Sequence, residues 1–426
     1  MSGPTFKGVG QPYGGRGLYL GWYGQCLTKR SWLGYLALMN IKVPPANATT
    51  AQAKVPMGLG GVHKSLAERL AELHGEIKAD GSLTSLSRIA IALYDESTDI
   101  LKTFIHSSDT DSPLDHSSAR LSDLPSLRDL ALNGGRRIIN NLEIAADSGQ
   151  EHATRLVSFG YRASYTMPIQ SKGIFYGFLF LNSFQPDYFS PLVIHRLRPY
   201  LDLIAQVVMR ELDTVRMMQA AVKVIRQVSS LRDEETGAHL ARMARYARLI
   251  AVKLADSHNL GDEFIEYLFQ FAPLHDLGKI SVPDHILLKP GRLTPEEFEV
   301  MKGHVVRGLE IIDMLVFDFG IDALEHFELL RDVIAYHHEA LDGSGYPHKL
   351  KGNEIPLAAR ICAVADVFDA LTSERPYKKA WSNEEAFQLL QDQAGTKFDP
   401  DCVRSLLECA SEVAFIQAHF DETVYD

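Results

Sequence analysis

The sequence predicts a multidomain chain in which an α+β domain is joined by one long helix to a second folded half. Three observations predict it. The chain has 426 residues, more than one ordinary hydrophobic core serves. Between Val62 and Leu212, segments of helical period alternate with segments of strand period. From Arg198 to Arg232, apolar residues recur on a heptad spacing that only Glu211 and Ser229 interrupt.

Residues 1–61 form a poorly defined N-terminal segment. The first 56 residues carry six basic side chains and no acidic one, which leaves −17 on residues 57–426 out of a net charge of −11. Gly and aromatic residues crowd Gly8–Trp32. The apolar stretch Gly17–Met39 is interrupted by Lys29 and Arg30 and falls short of a membrane span. Disorder, a remnant of expression, or translation starting at Met57 is expected here, and no membrane association.

Helix and strand patterns then follow in order. Leu66, Leu70 and Leu73 mark an amphipathic helix. Strands are expected at Arg88–Tyr94, Ile100–His106, Arg137–Asn141, Ser164–Gln170 and Ile174–Asn182, with short helices at Ser126–Asn133 and His152–Phe159 and a polar loop at Ser107–Ser118. This order, with the strand Gly173-Ile174-Phe175-Tyr176-Gly177-Phe178-Leu179, resembles a GAF domain over about Val62–Leu212, with the domain proper set at 62–197. The resemblance leaves the ligand unknown. No cysteine lies between Val62 and Leu212, so a thioether-linked bilin is excluded. The histidines of this region (His63, His74, His106, His116, His152, His195) lack ligand spacing and read as surface or structural groups.

Residues 198–232 read as a connector helix, with Pro199 in its first turn. Leu201, Ile204, Val208, Val215, Met218, Val222 and Ile225 occupy seam positions that Glu211 and Ser229 interrupt. Such a stripe predicts a two-helix coiled coil and hence a homodimer.

In residues 233–426 the chemistry-bearing groups are histidines and carboxylates. Glu235 and His239 stand four apart, so a helix puts them on one face. His275 and Asp276 end an apolar run, Phe264–Phe271, followed by Gly278, which permits close approach, and Lys279, a point charge suited to a phosphate oxygen. His304 falls in a helical segment, Met301–Gly308, and Asp366 on an apolar helix. The stretch His337-His338-Glu339-Ala340-Leu341-Asp342-Gly343-Ser344-Gly345-Tyr346-Pro347 adds two imidazoles before a glycine-rich turn. Five histidines and three carboxylates without a thiol disfavour a closed structural zinc site and suit iron, manganese or another multi-metal hydrolytic centre.

The pair His275-Asp276 with His338-Glu339 and Gly345-Tyr346-Pro347 resembles the signature of HD-GYP phosphodiesterases. The match runs from about Asp213 to Ala410 and includes Thr372–Tyr377 and Gly395–Pro400. The resemblance implies an all-α domain of the HD superfamily that hydrolyses cyclic di-GMP to linear pGpG, and in some members to GMP. It implies two or three divalent metal ions, held by Glu235, His239, His275, Asp276, His304, His337, His338 and Asp366, with Asp276 bridging. It further implies catalytic roles for His275, Asp276 and Lys279, and substrate contacts at Lys279, Tyr346, Arg375 and Lys378. Some members also contact diguanylate cyclases through the Gly-Tyr-Pro loop. Two other readings stay open from sequence: a receptor that binds the dinucleotide without turnover, and a phosphodiesterase for a hybrid cyclic dinucleotide. The net negative charge argues against DNA as a partner. The four cysteines show no Cys-x-x-Cys spacing and suggest a reducing cytoplasm.

Overall fold

The computed structural model describes residues 64–110, 116–147, 151–229, 237–319, 327–374 and 379–421. The N-terminal segment, Cys26, Glu235, Arg375 and Lys378 lie outside the described residues. Both halves of the expected fold class are present: an α+β layer structure, then helices alone among the described residues.

Helix α1 (Leu66–Ala79) starts where Ser65 accepts from the Glu68 amide and Glu68 reaches back to the Ser65 amide, a reciprocal cap. Six antiparallel strands follow: β1 (Arg88–Asp95), β2 (Ile100–Ser108), β3 (Ser118–Arg120), β4 (Arg137–Ile139), β5 (Ala163–Ser171) and β6 (Ile174–Ser183), in the spatial order β3-β2-β1-β6-β5-β4. Lys172 and Gly173 take positive φ in the tight turn joining β5 to β6. Period-two alternation sorts the side chains of β1. Ile89, Ile91 and Leu93 join the core shared with α1, while Ala90 and Ala92 join Phe178, Phe180, Leu121, Leu127 and Leu130 on the other face. That second face is capped by α2 (Pro125–Asn133), and α3 (Leu142–Asp147) and α4 (Glu151–Ser158) follow β4. Strand β3 and helix α3 escaped sequence reading because each is short.

The connector, α5, runs from Pro191 to Ser229, so Pro199 lies inside the helix rather than in its first turn. The seam expected for a second helix is also corrected. Leu201, Ile204, Val208, Val215, Met218 and Val222 are all buried in the chain's own core, and Glu211 faces Arg69 at 3.7 Å. A heptad stripe records that one side of a helix is covered, whatever covers it; here the cover is the helix's own chain. Through Val222 the stripe is thus spent within the chain, while the side chains of Ile225 and Ser229 lie outside the described residues.

The second half contains α6 (Gly237–His258), α7 (Asp262–Phe271), α8 (Asp284–Leu287), α9 (Pro295–Lys302), α10 (His304–Phe319), α11 (Phe327–Tyr336), α12 (Leu357–Thr372), α13 (Asn383–Gln393), α14 (Pro400–Leu407) and α15 (Ala410–His419). Its core is built on α6, whose Met243, Tyr246, Ala247, Ile250 and Leu254 are buried with Tyr267, Leu268 and Phe271 of α7 and Ile361, Val364 and Phe368 of α12. The segment expected to be one helix at Met301–Gly308 is split at Gly303 into α9 and α10. No helix among the described residues is long and apolar enough to cross a membrane.

Because the α5 stripe is internal core, Ile204→Ala is expected to cost about 2–5 kcal/mol of unfolding free energy and to leave the sedimentation behaviour unchanged. Urea unfolding with analytical ultracentrifugation checks both.

Candidate metal centre

Five elements of the helical half deliver the groups that meet. His239 sits in the first turn of α6. His275 and Asp276 lie between two short 3-10 turns that continue α7, Ala272–Leu274 and Leu277–Ser281. His304 opens α10, His337 and His338 follow the end of α11, and Asp366 lies within α12. Gly278 is the joint that brings two of these elements together. A Cβ there would run into the His304 carbonyl oxygen and the Gly308 amide nitrogen, so only glycine lets the Leu277–Ser281 turn lie directly on α10.

The converging atoms form two groups. Asp276, His304, His337 and His338 make one, and His239, His275 and Asp366 the other; within each group one ligand atom per residue lies within 4.8 Å of all the rest. Asp276 faces both. Its Oδ1 stands 3.0 Å from His304 Nε2 and 3.5 Å from His337 Nε2, while its Oδ2 stands 3.2 Å from His275 Nε2. Asp366 Oδ1 lies 3.7 Å from His239 Nε2 and 3.9 Å from His275 Nε2.

Second partners fix which ring nitrogen points inward. His275, His304 and His337 each donate from Nδ1 to a main-chain carbonyl: Ala272 at 2.9 Å, Met301 at 2.8 Å and Val333 at 2.9 Å. That hydrogen bond leaves Nε2 as the lone-pair end aimed at the centre. The Nε2 atoms of His304 and His337 and the Oδ1 of Asp276 are buried and make no hydrogen bond. Buried polar atoms are rarely left so, and a set of acceptor lone pairs converging on common points is what a cation satisfies. The residues fit a metal centre on that observation.

Burial holds the His337 imidazole below its ordinary range, Asp276 partly opposing, and holds His338 well below it, with His337 adding to the effect. Both rings are thus kept neutral, the form that binds a cation. For Asp276, burial works toward the protonated acid but is outweighed by Lys279 and His275, and the carboxyl is held well below the usual carboxylate range. Lys279 Nζ lies 2.7 Å from Asp276 Oδ2, at the cluster's edge. The cluster opens to solvent on the side of Asp366 and Lys279, whose side chains are 20% and 22% exposed.

Tyr346 forms a further wall, its ring stacked on His338 at 4.6 Å between centroids. Burial pushes its phenol up, so it stays protonated. Its loop is held from below by Glu339, which is buried and accepts from the amides of His348 (2.7 Å), Lys349 (3.0 Å) and Leu350 (3.1 Å). A Cβ on Gly345 would collide with the main chain of Glu339 and Ala340, so the turn folds back on its own start.

Two contributors were missed in the sequence, and a third was quoted there without a role. Asp369, wholly buried, accepts from His239 Nδ1 at 2.8 Å and from Arg242 at 2.7 and 2.9 Å. The available sign was a second carboxylate three residues after Asp366 on the same apolar helix, and an arginine three after His239. Glu339 stood inside the quoted motif, yet nothing in the motif says that it binds main chain instead of metal.

Comparison with known proteins agrees with this region. Residues 223–402 match the family described as HD domain. The chain is 38% identical over 231 residues to a cyclic di-GMP phosphodiesterase of Vibrio cholerae serotype O1, covering 51% of this chain and 46% of that protein. It is 42% identical over 212 residues to the cyclic di-GMP phosphodiesterase response regulator RpfG of Xanthomonas campestris pv. campestris, covering 50% and 51%. It is also 40% identical over 187 residues to the 3'3'-cGAMP-specific phosphodiesterase 2 of Vibrio cholerae, covering 44% and 34%. The chain thus spans about half or less of the length of these relatives. The His275-Asp276 pair and the Gly345-Tyr346-Pro347 turn both border one cluster of ligand groups, and they lie inside the stretch that matches the HD domain.

Proposed function

We propose that this chain is a metal-dependent phosphodiesterase that opens cyclic di-GMP to linear pGpG, under the control of its GAF-like domain. The observation that carries the reading is Asp276, one buried carboxylate presenting a different oxygen to each of two ligand groups. On this reading Glu235, His239, His275, Asp276, His304, His337, His338 and Asp366 hold two or three divalent ions, iron or manganese. Bound there, such ions supply Lewis-acid charge and a nucleophilic water at neutral pH.

The chain's own residues do the rest. Lys279, with Arg375 and Lys378, neutralises the charge that repels a nucleophile from a phosphodiester. The phenol of Tyr346, kept protonated by burial, offers a hydrogen-bond donor and a flat wall for a base. The wall formed by Tyr346, Phe298 and His338 keeps bulk water from one side of the cluster. A cyclic dinucleotide messenger belongs to the bacterial cytoplasm, the compartment we propose. The part-exposed Gly345-Tyr346-Pro347 turn is the surface for a diguanylate cyclase, and the outer side of α5, where Leu203 and Met217 are exposed, is the face offered to a second copy of the chain. The division 62–197, 198–232 and 233–426 goes with this reading.

Support for control by the GAF-like domain comes from what touches the helices that carry the ligands. Lys102 of β2 is buried, 3.4 Å from Glu266 of α7, 3.8 Å from Asp95 and 4.0 Å from the Phe269 ring centre. His116 Nδ1 lies 2.7 Å from Asp262 at the start of α7, and Arg245 of α6 reaches Asp95 at 3.4 Å. Thus the sheet touches α7, which leads into His275 and Asp276, and α6, which carries His239. Coupling through this direct contact replaces helix rotation in a coiled coil.

The hybrid dinucleotide stands as second reading, favoured by the likeness to the 3'3'-cGAMP-specific enzyme. Chromatography of products from cyclic di-GMP and 3'3'-cGAMP, with metal-quantified protein, separates the two by their relative turnover. Cyclic di-GMP is expected to give linear pGpG, and Asp276→Ala to give none; equal turnover in the two proteins would overturn the assignment. Arg375→Ala is expected to raise KM more than it lowers kcat.

Removing one member of the buried charge group leaves the others uncompensated. Lys102→Met is therefore expected to cost about 3–5 kcal/mol of stability and to change turnover several-fold at unchanged metal content. Turnover equal to wild type would detach the GAF-like domain from control.

The depressed histidines predict a pH dependence for chelated protein. Unfolded, His337 and His338 bind protons near 6.5; folded, they do so only at lower pH. Between those values the unfolded state holds more protons, so stability falls as pH falls below 6.5 and is flat on this account above it. Melting temperatures from pH 5 to pH 8 in the presence of a chelator check the sign.

A further inference from the structure

The four imidazoles that donate from Nδ1 around the two ligand groups are not held alike. His275, His304 and His337 use a neutral carbonyl three or four residues earlier in their own turn. His239 instead donates to a carboxylate on another helix, Asp369 of α12, at 2.8 Å. That carboxylate is completely buried and is gripped by Arg242 through Nε at 2.7 Å and Nη2 at 2.9 Å, and by the Ser373 hydroxyl at 3.0 Å. Asp369 also lies one helical turn from Asp366, the only other α12 residue in the cluster. The two groups thus differ in construction. In the Asp276, His304, His337 and His338 group, orientation is local to each turn. In the His239, His275 and Asp366 group, a single buried carboxylate sets the ring of one ligand and shares a helix face with another.

We propose that Asp369 is the positioning residue of the second metal position, and that the affinity of the His239, His275 and Asp366 group depends on it while that of the Asp276, His304, His337 and His338 group does not. The inference rests on the reading of the cluster as a metal centre. The physical ground is twofold. A charged acceptor on Nδ1 raises the electron density at Nε2 above what a carbonyl gives, and it fixes the ring plane. The Arg242 fork keeps that acceptor ionised and immobile, so orientation costs little when an ion arrives. Occupancy is then stepwise: among the described residues the Asp276, His304, His337 and His338 group offers four ligands against three and fills first, and the His239, His275 and Asp366 group, with the help of Asp369, fills at higher free metal.

The test is a Mn(II) titration of the full chain, with bound and free ion separated by equilibrium dialysis and free Mn(II) read by electron paramagnetic resonance. Wild type is expected to bind at least two equivalents in two steps. Asp369→Asn is expected to weaken the second step by about 10–100-fold and to leave the first unchanged. Arg242→Gln disturbs the same buried pocket but keeps the carboxylate next to His239. It is expected to shift the second step less than Asp369→Asn does, whereas a merely structural role predicts equal loss in both. If circular dichroism finds Asp369→Asn unfolded, Asp369→Glu, which keeps the charge but displaces the oxygen, takes its place with the same selective weakening expected. A folded variant at position 369 with wild-type affinities, or one that loses both steps alike, overturns the proposal. Wild-type protein that binds no Mn(II) would instead overturn the metal-centre reading beneath it.

Discussion

One constraint governs the helical half: a carboxylate, Asp276, is buried among the imidazoles of His275, His304 and His337, whose Nε2 atoms face it. Burying an ionised carboxylate is costly unless opposite charge and hydrogen-bond donors surround it. Lys279 supplies part of that charge at 2.7 Å from Oδ2, with its ammonium at the edge of the cluster. Oδ1 faces His304 and His337 without a hydrogen bond to either. The helices carrying these groups are packed so that no side-chain rotation relieves the arrangement, since each ring is anchored through its other nitrogen. The protein spends part of its core on an array of ligand groups able to hold a cation.

The surroundings can be understood as the supports this array needs. Gly278 brings the His275-Asp276 turn against α10; Glu339 anchors the loop that ends in Tyr346; Asp369 and Arg242 fasten α6 to α12 where His239 and Asp366 meet. None of the three supports is a ligand, and two are acidic residues that composition alone would assign to the surface. The connector helix has a related lesson. Its stripe of apolar residues, from Leu201 to Val222, is spent within the chain, and the sheet meets α7 directly through Lys102 and Glu266.

The order of helices and strands, and the residues that gather at the cluster, were legible because each rests on a local rule. Strand-like runs marked β1, β2, β5 and β6, His275-Asp276 stood out at the end of an apolar run, and His337-His338 as paired imidazoles before a glycine-rich turn. What could not be read depended on contacts distant in sequence. The heptad stripe of α5 could not say which surface covered it, Pro199 could not say that the helix began at Pro191, and Gly303 did not reveal that it separates two helices. Asp369 differs from Asp366 only in what stands opposite, and that is His239, 130 residues earlier.

The seat of Gly278 on α10 has a last implication, for size. There the main chain of the Asp276 turn rests on the main chain that carries His304, with no side chain between them to lengthen or shorten. The gap between these two ligands is gauged by backbone thickness. On the metal-centre reading, ions of different radius meet a cradle that does not resize. Exchange of one ion for another then changes how often the position is filled more than how it is shaped.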